Sequence, residues 1–548
     1  MLESSRKEGN MSRQRILIAA AVAVVAFLSG GWFMQQGTRP DESVYQRARM
    51  FDDVLSHVAD FYVDSLDERQ LYRMAIDGML SELRDPYSDF LDRQALSGLR
   101  EATTGNYAGI GAQIEVRNGA IVVVAPMPET PAERAGVLAG DRIVEVSGQS
   151  TQRFTQEQAV RALRGAEGTQ VVLKVARSGA SELITFTLTR ARIHSRSVRI
   201  AMLVGDRVGY IELNPFSQSS AAEVQTAVDS LRQAGMRSLV LDLRFNPGGL
   251  LDEGIAVSDL FLNSGQEIVS TRGRAPRSTR TFDDAAPQRY QDLPLIVLVN
   301  GFSASASEIV AGALQDHDRA LLIGTPTFGK GLVQTVFPLG SDAALRLTTA
   351  RWYTPSGRSI QRPGRVGFEV DGPPGDSVPM RDSATAPAYR TDSGRPVRGG
   401  GGIAPDILIP TDSSDTRAAE RLTLAVGRDI ERYRDALAAF AFQARQRFGV
   451  TSPVFSVTAA MRAGLLEQFR QRGIQLDDQT VQIAGPFLDR QLGDQVARLA
   501  FGRQGQVLRA AQDDAILSEA VRLAGRARTQ AELLASAGSG RGGSAQRQ

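Results

Sequence analysis

The sequence lacks cysteine altogether and holds very little histidine and lysine. Without cysteine, disulfide frameworks, thiol catalysis and thiolate-ligated metal sites are excluded. The three histidines are His57, His194 and His317, too few for a typical multi-histidine metal site. The three lysines among the 63 basic residues are Lys7, Lys174 and Lys330. Arginine stays protonated in proteins, whereas a buried lysine can lose its proton and act as a base. We therefore expect no metal and no cofactor, and a buried lysine is a candidate base.

Charge of one sign is not in excess either. The 63 basic and 61 acidic residues leave a net charge of +2, so no nucleic-acid partner is expected. Hydrophobic residues make up 42% of the chain and charged residues 23%, which excludes a wholly disordered or fibrous protein. A chain of 548 residues is too long for one compact domain, and about three or four are expected.

Long uncharged runs are scarce, but one lies near the N-terminus. Residues 16–34 carry no charge and follow a basic tail, residues 1–15, that contains four basic residues. This pattern predicts a transmembrane signal-anchor. A cleaved secretory signal is the alternative, although the run exceeds the usual apolar core of such signals, about 7–15 residues, and lacks a clear cleavage site. The sequence thus predicts a single-pass protein of the inner (cytoplasmic) membrane in which everything after residue 40 lies on the periplasmic side.

The rest of the chain changes character several times, and together these changes predict a multidomain α/β protein. Residues 41–104 have helical periodicity, and 105–190 hold short β-rich runs around one helix, which is typical of a small binding module. Residues 191–362 alternate apolar strands with amphipathic helices, which favours a largely parallel sheet. The expected remainder is a polar insert (363–402), a core-closing strand (403–414), a helical C-terminal extension (415–536) and a disordered tail (537–548). The extension is a candidate surface for a homo-oligomer or an adaptor.

Two segments in the α/β region match known functional motifs only in part. Residues 324–331 resemble a phosphate-binding P-loop, but Gly331 stands where magnesium binding needs Ser or Thr, and Pro326 lacks an N–H. Residues 301–305 resemble the G-x-S-x-G turn of esterases, but end in serine. Only His317 follows that serine cluster, with a helix between them, so a histidine-based triad is excluded.

The remaining candidate for catalysis is a serine paired with a lysine. The serine cluster 303–307 lies where a strand leads into a helix, whose N-terminus favours developing negative charge. Lys330 follows the next strand, at the same edge of a parallel sheet. A desolvated lysine there can be neutral and accept the serine proton. The alternatives are a helix cap and a solvated loop lysine. The Gly-rich turn 246–249 is either an oxyanion hole or a plain strand–helix turn.

These segments, in this order, resemble the C-terminal processing peptidases, or tail-specific proteases. The resemblance extends from about residue 45 to about residue 410. The matching segments are LRDPYS (83–88), GIG (109–111), LRGAEGT (163–169), DLRFNPGG (242–249), SASASE (303–308), GTPTFGKG (324–331), LTTARWYTPSGRSIQ (347–361) and GIAPD (402–406).

The resemblance implies a crotonase-like α/β protease core with an inserted PDZ domain, and a Ser–Lys dyad that needs no cofactor. By position, Ser305 is the nucleophile, Lys330 the base and Gln334 the residue that supports the dyad. The oxyanion hole would use the backbone of Gly248 or Gly249 together with that of Ala306. The implied function is that of a membrane-anchored serine endopeptidase; the alternative is a catalytically silent PDZ scaffold on the same fold.

For residues 105–190, the resemblance implies capture of a protein C-terminus. The backbone of Gly109, Ile110, Gly111 and Ala112 would receive the terminal carboxylate, and the strand 113–116 would pair with the peptide. Ile114 and Leu163 would hold an apolar last residue, or belong to the domain core. Expected partners are proteins or peptides with free apolar C-termini.

Arg164, just past the helix of this module, is a regulatory candidate. It would pair across the interface with the protease core when a tail is bound. The alternative is a solvated charge at a helix end.

Overall fold

The computed structural model describes residues 44–117, 120–177, 179–362, 387–410 and 413–540. The chain divides into two compact units, Met1–Asp85 and Pro86–Gln548. In the first, the described part consists of the helices Val44–Phe61 and Glu68–Glu82. Asp67 caps the second helix by accepting a hydrogen bond of 3.0 Å from a first-turn N–H.

The predicted membrane localisation is contradicted. In the described part of the chain, no helix is both long enough and apolar enough to cross a membrane. The helix Val44–Phe61 is 18 residues long, but it carries Arg47, Asp52 and other charges that a span of about 20 apolar residues excludes. The prediction of a single-pass inner-membrane protein is therefore wrong on this finding. Residues 1–15 and 16–34, on which that prediction was based, lie outside the described residues.

A six-stranded sheet forms the centre of the second unit. Its strands in spatial order are Val198–Val204, Val208–Leu213, Ser238–Asp242, Leu295–Val299, Leu321–Gly324 and Ile407–Leu408. The first two strands are antiparallel, and every later neighbour runs parallel. Ser238–Asp242 and Leu295–Val299 are buried at every position, because parallel strands are covered on both faces. The predicted strand–helix alternation is thus observed as a largely parallel sheet.

Helices cover both faces of this sheet, but from different parts of the chain. One face packs against three helices that alternate with the strands: Ser220–Gln233, Leu251–Asp259 and Ala306–Asp316. The other face packs against helices from the C-terminal region, through residues such as Leu517 and Leu523. Those helices are the end of Asp478–Asp513, Ala515–Arg526 and Gln530–Gly540. Part of the region expected to be a separate extension therefore covers the second face of the central sheet.

The helices between residues 413 and 496 form an apolar core of their own. They are Ser413–Val426, Ile430–Arg447, Ala459–Gln471 and the first half of Asp478–Asp513. Gly502 interrupts the last helix with a φ of 69°, a backbone conformation that glycine adopts readily. The chain can therefore leave the bundle and turn onto the central sheet.

A second, five-stranded antiparallel sheet was not predicted. Its strands are Asp89–Leu91, Ala344–Tyr353, Glu267–Gly273, Arg280–Asp283 and Leu332–Pro338, the last of which pairs with Ala344–Tyr353. The loop that contains Lys330 runs from Leu321–Gly324 of the central sheet into Leu332–Pro338 of this one. The position of Lys330 therefore depends on both sheets.

Residues 106–194 form a third β structure. Its sheet, in spatial order, is Ala112–Arg117, Ala120–Pro126, Arg142–Val146, Gln170–Ala176 and Ile184–Thr189, with Gln149–Ser150 beside Arg142–Val146. The helices Pro131–Arg134 and Gln156–Leu163 belong to it. The strands Asn106–Gly109 and Ala191–His194 pair with each other, so the chain enters and leaves this module at one place.

The remaining described elements are short or flank these sheets. Helix Arg93–Thr104 precedes the β module. Strands Ala388–Arg390 and Pro396–Arg398 form a hairpin within the region expected to be a polar insert. The 3-10 helices are Pro276–Ser278 and Gly427–Asp429.

Candidate active site

The serine cluster lies between the central strand Leu295–Val299 and the helix that follows it. Ser303 and Ser307 are fully buried. Their hydroxyls donate to main-chain oxygens of the turn 243–246, at 2.8 and 2.9 Å, so these two serines hold the neighbouring turn in place. Ser305 is only partly buried. Of the three serines, Ser305 is therefore the one that a substrate can reach.

The backbone of Ser305 is strained. Its φ of 54° and ψ of −115° lie in a region that residues other than glycine rarely occupy, at a cost of about 1–3 kcal/mol. The next residue, Ala306, begins the helix, so its N–H has no acceptor within the helix. The strained turn thus places Ser305 at the positive end of a helix dipole.

A buried carboxylate connects this turn to the lysine loop. Glu308 Oε2 accepts the N–H of Ser305 at 2.8 Å and the N–H of Lys330 at 2.9 Å. Its Oε1 accepts the N–H of Gly329 at 2.7 Å and the hydroxyl of Thr327 at 2.6 Å. One side chain therefore links the backbones of Ser305 and Lys330.

Glu308 is fully buried, and desolvation raises the pKa of its carboxyl although four hydrogen bonds oppose that shift. Our sequence reasoning did not assign it a role. A signal was present, because a Ser-x-x-Glu spacing at the start of a helix is typical of a capping box. What the sequence does not show is that the same carboxylate also reaches the loop of Lys330.

The Gly-rich turn lies directly against the serine. A Cβ on Gly248 would be 2.8 Å from Ser305 Cβ and 2.9 Å from Ala306 N, so only glycine fits there, and its φ is 94°. The Gly248 N–H donates to Asn246 Oδ1 at 2.9 Å. That bond leaves the N–H groups of Gly249 and Ala306 as candidates for the predicted oxyanion hole.

Lys330 contacts residues from two other segments of the motif series, 83–88 and 347–361. Its carbonyl accepts the indole N–H of Trp352 at 3.0 Å. Its Nζ lies 4.7 Å from the centroid of the Tyr87 ring. Gln334 follows on the strand Leu332–Pro338 and donates to Thr348 Oγ1 on the neighbouring strand at 3.4 Å. The structure thus brings the backbones of Ser305 and Lys330 together through Glu308, while the bond of Gln334 is to the second sheet.

The predicted peptide-binding residues lie at one end of the third sheet. Ile110 and Leu163 are 3% and 5% exposed and belong to the apolar core of the module, whereas Ile114 is partly buried against it. Gly109 ends the strand before this loop, and Ala112 begins the edge strand Ala112–Arg117.

Gly111 has a φ of 75°, and a Cβ there would lie 2.3 Å from Thr130 Cβ. Glycine is therefore required at the loop that leads into the edge strand.

Arg164 is paired in this structure. Its guanidinium forms an ion pair with Glu101 of the helix Arg93–Thr104 and lies 4.7 Å from the centroid of the Tyr107 ring. The ion pair is partly exposed, with 41% and 30% of the two side chains accessible. Arg164 thus connects the module to the helix that precedes it.

Three family models match the sequence. Residues 33–95 match the activating protease CtpB N-terminal domain, residues 122–177 match the PDZ domain, and residues 207–371 match peptidase family S41. The PDZ match falls within the third sheet, and the S41 match contains Ser305 and Lys330.

The chain is similar to several known proteins. It is 43% identical to a carboxy-terminal-processing protease of Bartonella bacilliformis over 328 residues, 59% of this chain and 75% of the relative. It is 36% identical to the protein named "Probable CtpA-like serine protease" of Staphylococcus aureus (strain COL), over 64% of this chain and 69% of that protein. Among solved structures, the chain is 30% identical to the photosystem II D1 C-terminal processing protease. The match covers 65% of this chain and 87% of the solved chain, with a TM-score of 0.35. The chain therefore belongs to the carboxy-terminal-processing proteases of peptidase family S41 and is a serine peptidase that carries a PDZ domain.

Proposed function

We propose that this peptidase cleaves protein C-terminal tails with a dyad of Ser305 and Lys330. The observation that carries the proposal is the carboxylate of Glu308, which accepts main-chain N–H groups of both residues at 2.8 and 2.9 Å. The strained backbone of Ser305 and its position at a helix N-terminus add to this support. In this proposal Glu308 acts as a positioning residue, and Gln334 supports the dyad from the adjoining strand.

The reaction follows from these roles. Ser305 Oγ attacks the carbonyl carbon of the scissile peptide bond while its proton passes to the neutral amine of Lys330. The N–H groups of Gly249 and Ala306 stabilise the negative charge on the carbonyl oxygen. The C–N bond then breaks, and the leaving amine takes the proton from Lys330. Water attacks the resulting ester, gives one proton to Lys330 and releases the carboxylic acid, and Ser305 recovers its proton.

The PDZ domain would select the substrate. We propose that the backbone from Gly109 to Ala112 receives a terminal carboxylate and that the edge strand Ala112–Arg117 pairs with the tail. Ile114 is the better candidate for contact with an apolar last residue, because Ile110 and Leu163 are almost completely buried in the domain core. We also propose a crotonase-like core into which the PDZ domain, residues 105–190, is inserted.

Single substitutions in the full-length chain test the dyad. With a peptide substrate, Ser305→Ala should lower kcat/KM at least about 10³-fold. Lys330→Arg should be equally inactive, because arginine keeps the charge but cannot serve as a base. Lys174→Arg is the matched control, since Lys174 pairs with Glu145 within the PDZ domain at 3.0 Å, and it should keep full activity.

Substantial turnover by Lys330→Arg would refute the dyad. A wild-type chain that binds peptides but neither cleaves them nor reacts with a serine-directed fluorophosphonate would instead support the catalytically silent PDZ scaffold.

A further inference from the structure

Two exposed phenylalanines lie side by side next to the serine cluster. Phe245 and Phe302 are 61% and 43% exposed. Their ring centroids are 5.4 Å apart, and the ring planes make an angle of 25°, a stacked arrangement that aromatic pairs favour. Apolar side chains of this size are usually buried, and adjacent exposed ones commonly mark a binding surface.

One asparagine side chain holds the main chains of both residues. Asn300 follows the strand Leu295–Val299. Its Oδ1 accepts the N–H of Phe245 at 3.0 Å and the N–H of Phe302 at 3.1 Å. The carbonyl of Phe245 in turn accepts the side-chain amide of Asn214 at 2.8 Å. The two rings are therefore presented to solvent from fixed positions.

The backbone of Phe245 has a left-handed conformation. Its φ is 59°, a value that is unusual for a bulky residue. Glycine and asparagine form such a turn more readily. Local folding therefore does not explain why phenylalanine stands at this position.

The rings border the turns of the candidate active site. Phe302 precedes Ser305 by three residues, and Phe245 precedes Gly248 by three. The two turns are joined by main-chain hydrogen bonding, because the carbonyl next to Phe245 in the chain, that of residue 246, accepts the N–H of residue 304 at 3.0 Å. A substrate held at Ser305 therefore passes close to both rings.

The order of strands in the central sheet indicates which half of the substrate meets the rings. Three parallel strands that lead into the site are consecutive neighbours: Ser238–Asp242, Leu295–Val299 and Leu321–Gly324. Phe245 follows the first strand, and Phe302 and Ser305 follow the second. Lys330 follows the third. In the proposed reaction Lys330 protonates the leaving amine, so the leaving part of the substrate lies on the lysine side of Ser305 and the acyl part on the side of Phe245.

We propose that Phe245 and Phe302 form a subsite for an apolar side chain in the acyl part of the substrate, on the N-terminal side of the scissile bond. This inference rests on the proposed dyad and adds a sequence preference to it. The occupant is an aliphatic or aromatic side chain, because phenylalanine rings offer neither a hydrogen-bond donor nor a charge.

The size of the preference follows from the area that the rings can cover. Each CH₂ group that leaves water strengthens binding about fourfold. A leucine side chain is larger than that of alanine by about three such groups, and an open surface covers about half of it, so leucine should be favoured about tenfold in kcat/KM.

Variants that remove one ring each test the subsite. Phe245→Asn removes the first ring and keeps a residue that adopts the left-handed backbone readily. Phe302→Ala removes the second ring. Phe442→Ala is the matched control, because Phe442 is 63% exposed on the helix Ile430–Arg447. All are made in the full-length chain, and Ser305→Ala provides the blank.

The measurement is a competition in one tube. Unstructured peptides with the same apolar C-terminus carry randomised residues in their middle, and mass spectrometry identifies each cleaved bond and its rate. The result is the ratio of kcat/KM for leucine over alanine at each position on either side of the scissile bond. Because one preparation cleaves all peptides, this ratio does not depend on how much of the enzyme is folded.

The parent and Phe442→Ala should favour leucine about tenfold at one position of the acyl part. Phe245→Asn and Phe302→Ala should each reduce that ratio to about threefold or less, and the double variant should bring it to about one. A ratio that stays at the parent value in both single variants would overturn the inference, even if all rates fell together. A leucine preference on the leaving side alone, or an equal fall in Phe442→Ala, would overturn it as well.

Failure of the dyad and failure of the subsite give different results. If Ser305→Ala cleaves the peptides as fast as the parent, the dyad is refuted, and the inference falls with it. If the parent cleaves and Ser305→Ala does not, but no acyl position favours an apolar side chain, the subsite alone is refuted.

Discussion

The carboxylate of Glu308 offers the sharpest test of how the site is held together. In Glu308→Ala, three main-chain N–H groups and the Thr327 hydroxyl lose their acceptor in a fully buried position. In Glu308→Gln, the amide oxygen can keep the N–H groups of Ser305 and Lys330. The amide nitrogen then faces Thr327, whose hydroxyl can turn to accept, and the N–H of Gly329, which cannot.

These geometries set the expected magnitudes. A buried N–H without an acceptor costs about 1–3 kcal/mol, so Glu308→Gln should lower the free energy of unfolding by that amount. Glu308→Ala should lower it by about 3–5 kcal/mol, since water and relaxation recover part of the four lost bonds. A displacement of about 1 Å between reacting groups costs about 10²-fold in rate. We therefore expect kcat to fall about 10²-fold in Glu308→Ala and about five- to tenfold in Glu308→Gln, with KM nearly unchanged.

The assay combines steady-state cleavage with denaturant unfolding of the same preparations. Glu253→Gln is a matched control, because Glu253 also accepts a main-chain N–H, from Ala221 at 2.9 Å. It should lose stability without a selective loss of kcat. Wild-type kcat in Glu308→Ala would refute the positioning role. So would a loss of kcat that disappears once rates are corrected for the folded fraction.

The same carboxyl predicts a pH signature. Burial raises the pKa of Glu308 above its ordinary 4.5, so the folded state binds the proton more readily than the unfolded state. The contribution of Glu308 to stability is therefore largest below pH 4.5 and declines as the pH rises through the raised pKa. The difference in free energy of unfolding between wild type and Glu308→Gln should decline over that window, and a difference that grows would contradict the assignment.

Two further predictions concern contacts between parts of the chain. Arg164→Ala should reduce cleavage of long substrates that engage the PDZ domain by about fivefold, at the low end of typical coupling between sites, while peptide affinity stays unchanged. Glu101→Gln should reproduce this effect. An equal loss of peptide binding would instead make Arg164 a residue of the peptide-binding groove. Asp514→Ala should lower the free energy of unfolding by about 2–3 kcal/mol, because Asp514 both caps the helix Ala515–Arg526 and binds Arg244 at 2.6 Å; a change below about 0.5 kcal/mol in a denaturant titration would show that the C-terminal helices contribute little to the core.

Local patterns in the sequence were sufficient to predict many of the strands and helices of this molecule. The strands Val208–Leu213 and Arg142–Val146 and the helix Gln156–Leu163 lie in the regions where strands and a helix were predicted, because apolar periodicity and flanking turn residues act over a few neighbours. The scarcity of histidine excluded a histidine-based triad, and the scarcity of lysine drew attention to Lys330 as a candidate base. The order of motifs indicated the family to which the chain belongs.

Other features depended on contacts between residues far apart in the chain. The antiparallel sheet that positions Lys330 pairs strands separated by long loops. The local sequence pattern of a strand does not show which distant strand it pairs with. The apolar faces of the C-terminal helices predict burial but not the surface that buries them, which is the second face of the central sheet. Glu308 reads locally as a helix-capping residue, and Phe245 as an apolar residue in a turn. Only the tertiary structure places the first between Ser305 and Lys330 and the second against the ring of Phe302, because a contact depends on where two chain segments meet in space and not on their separation in sequence.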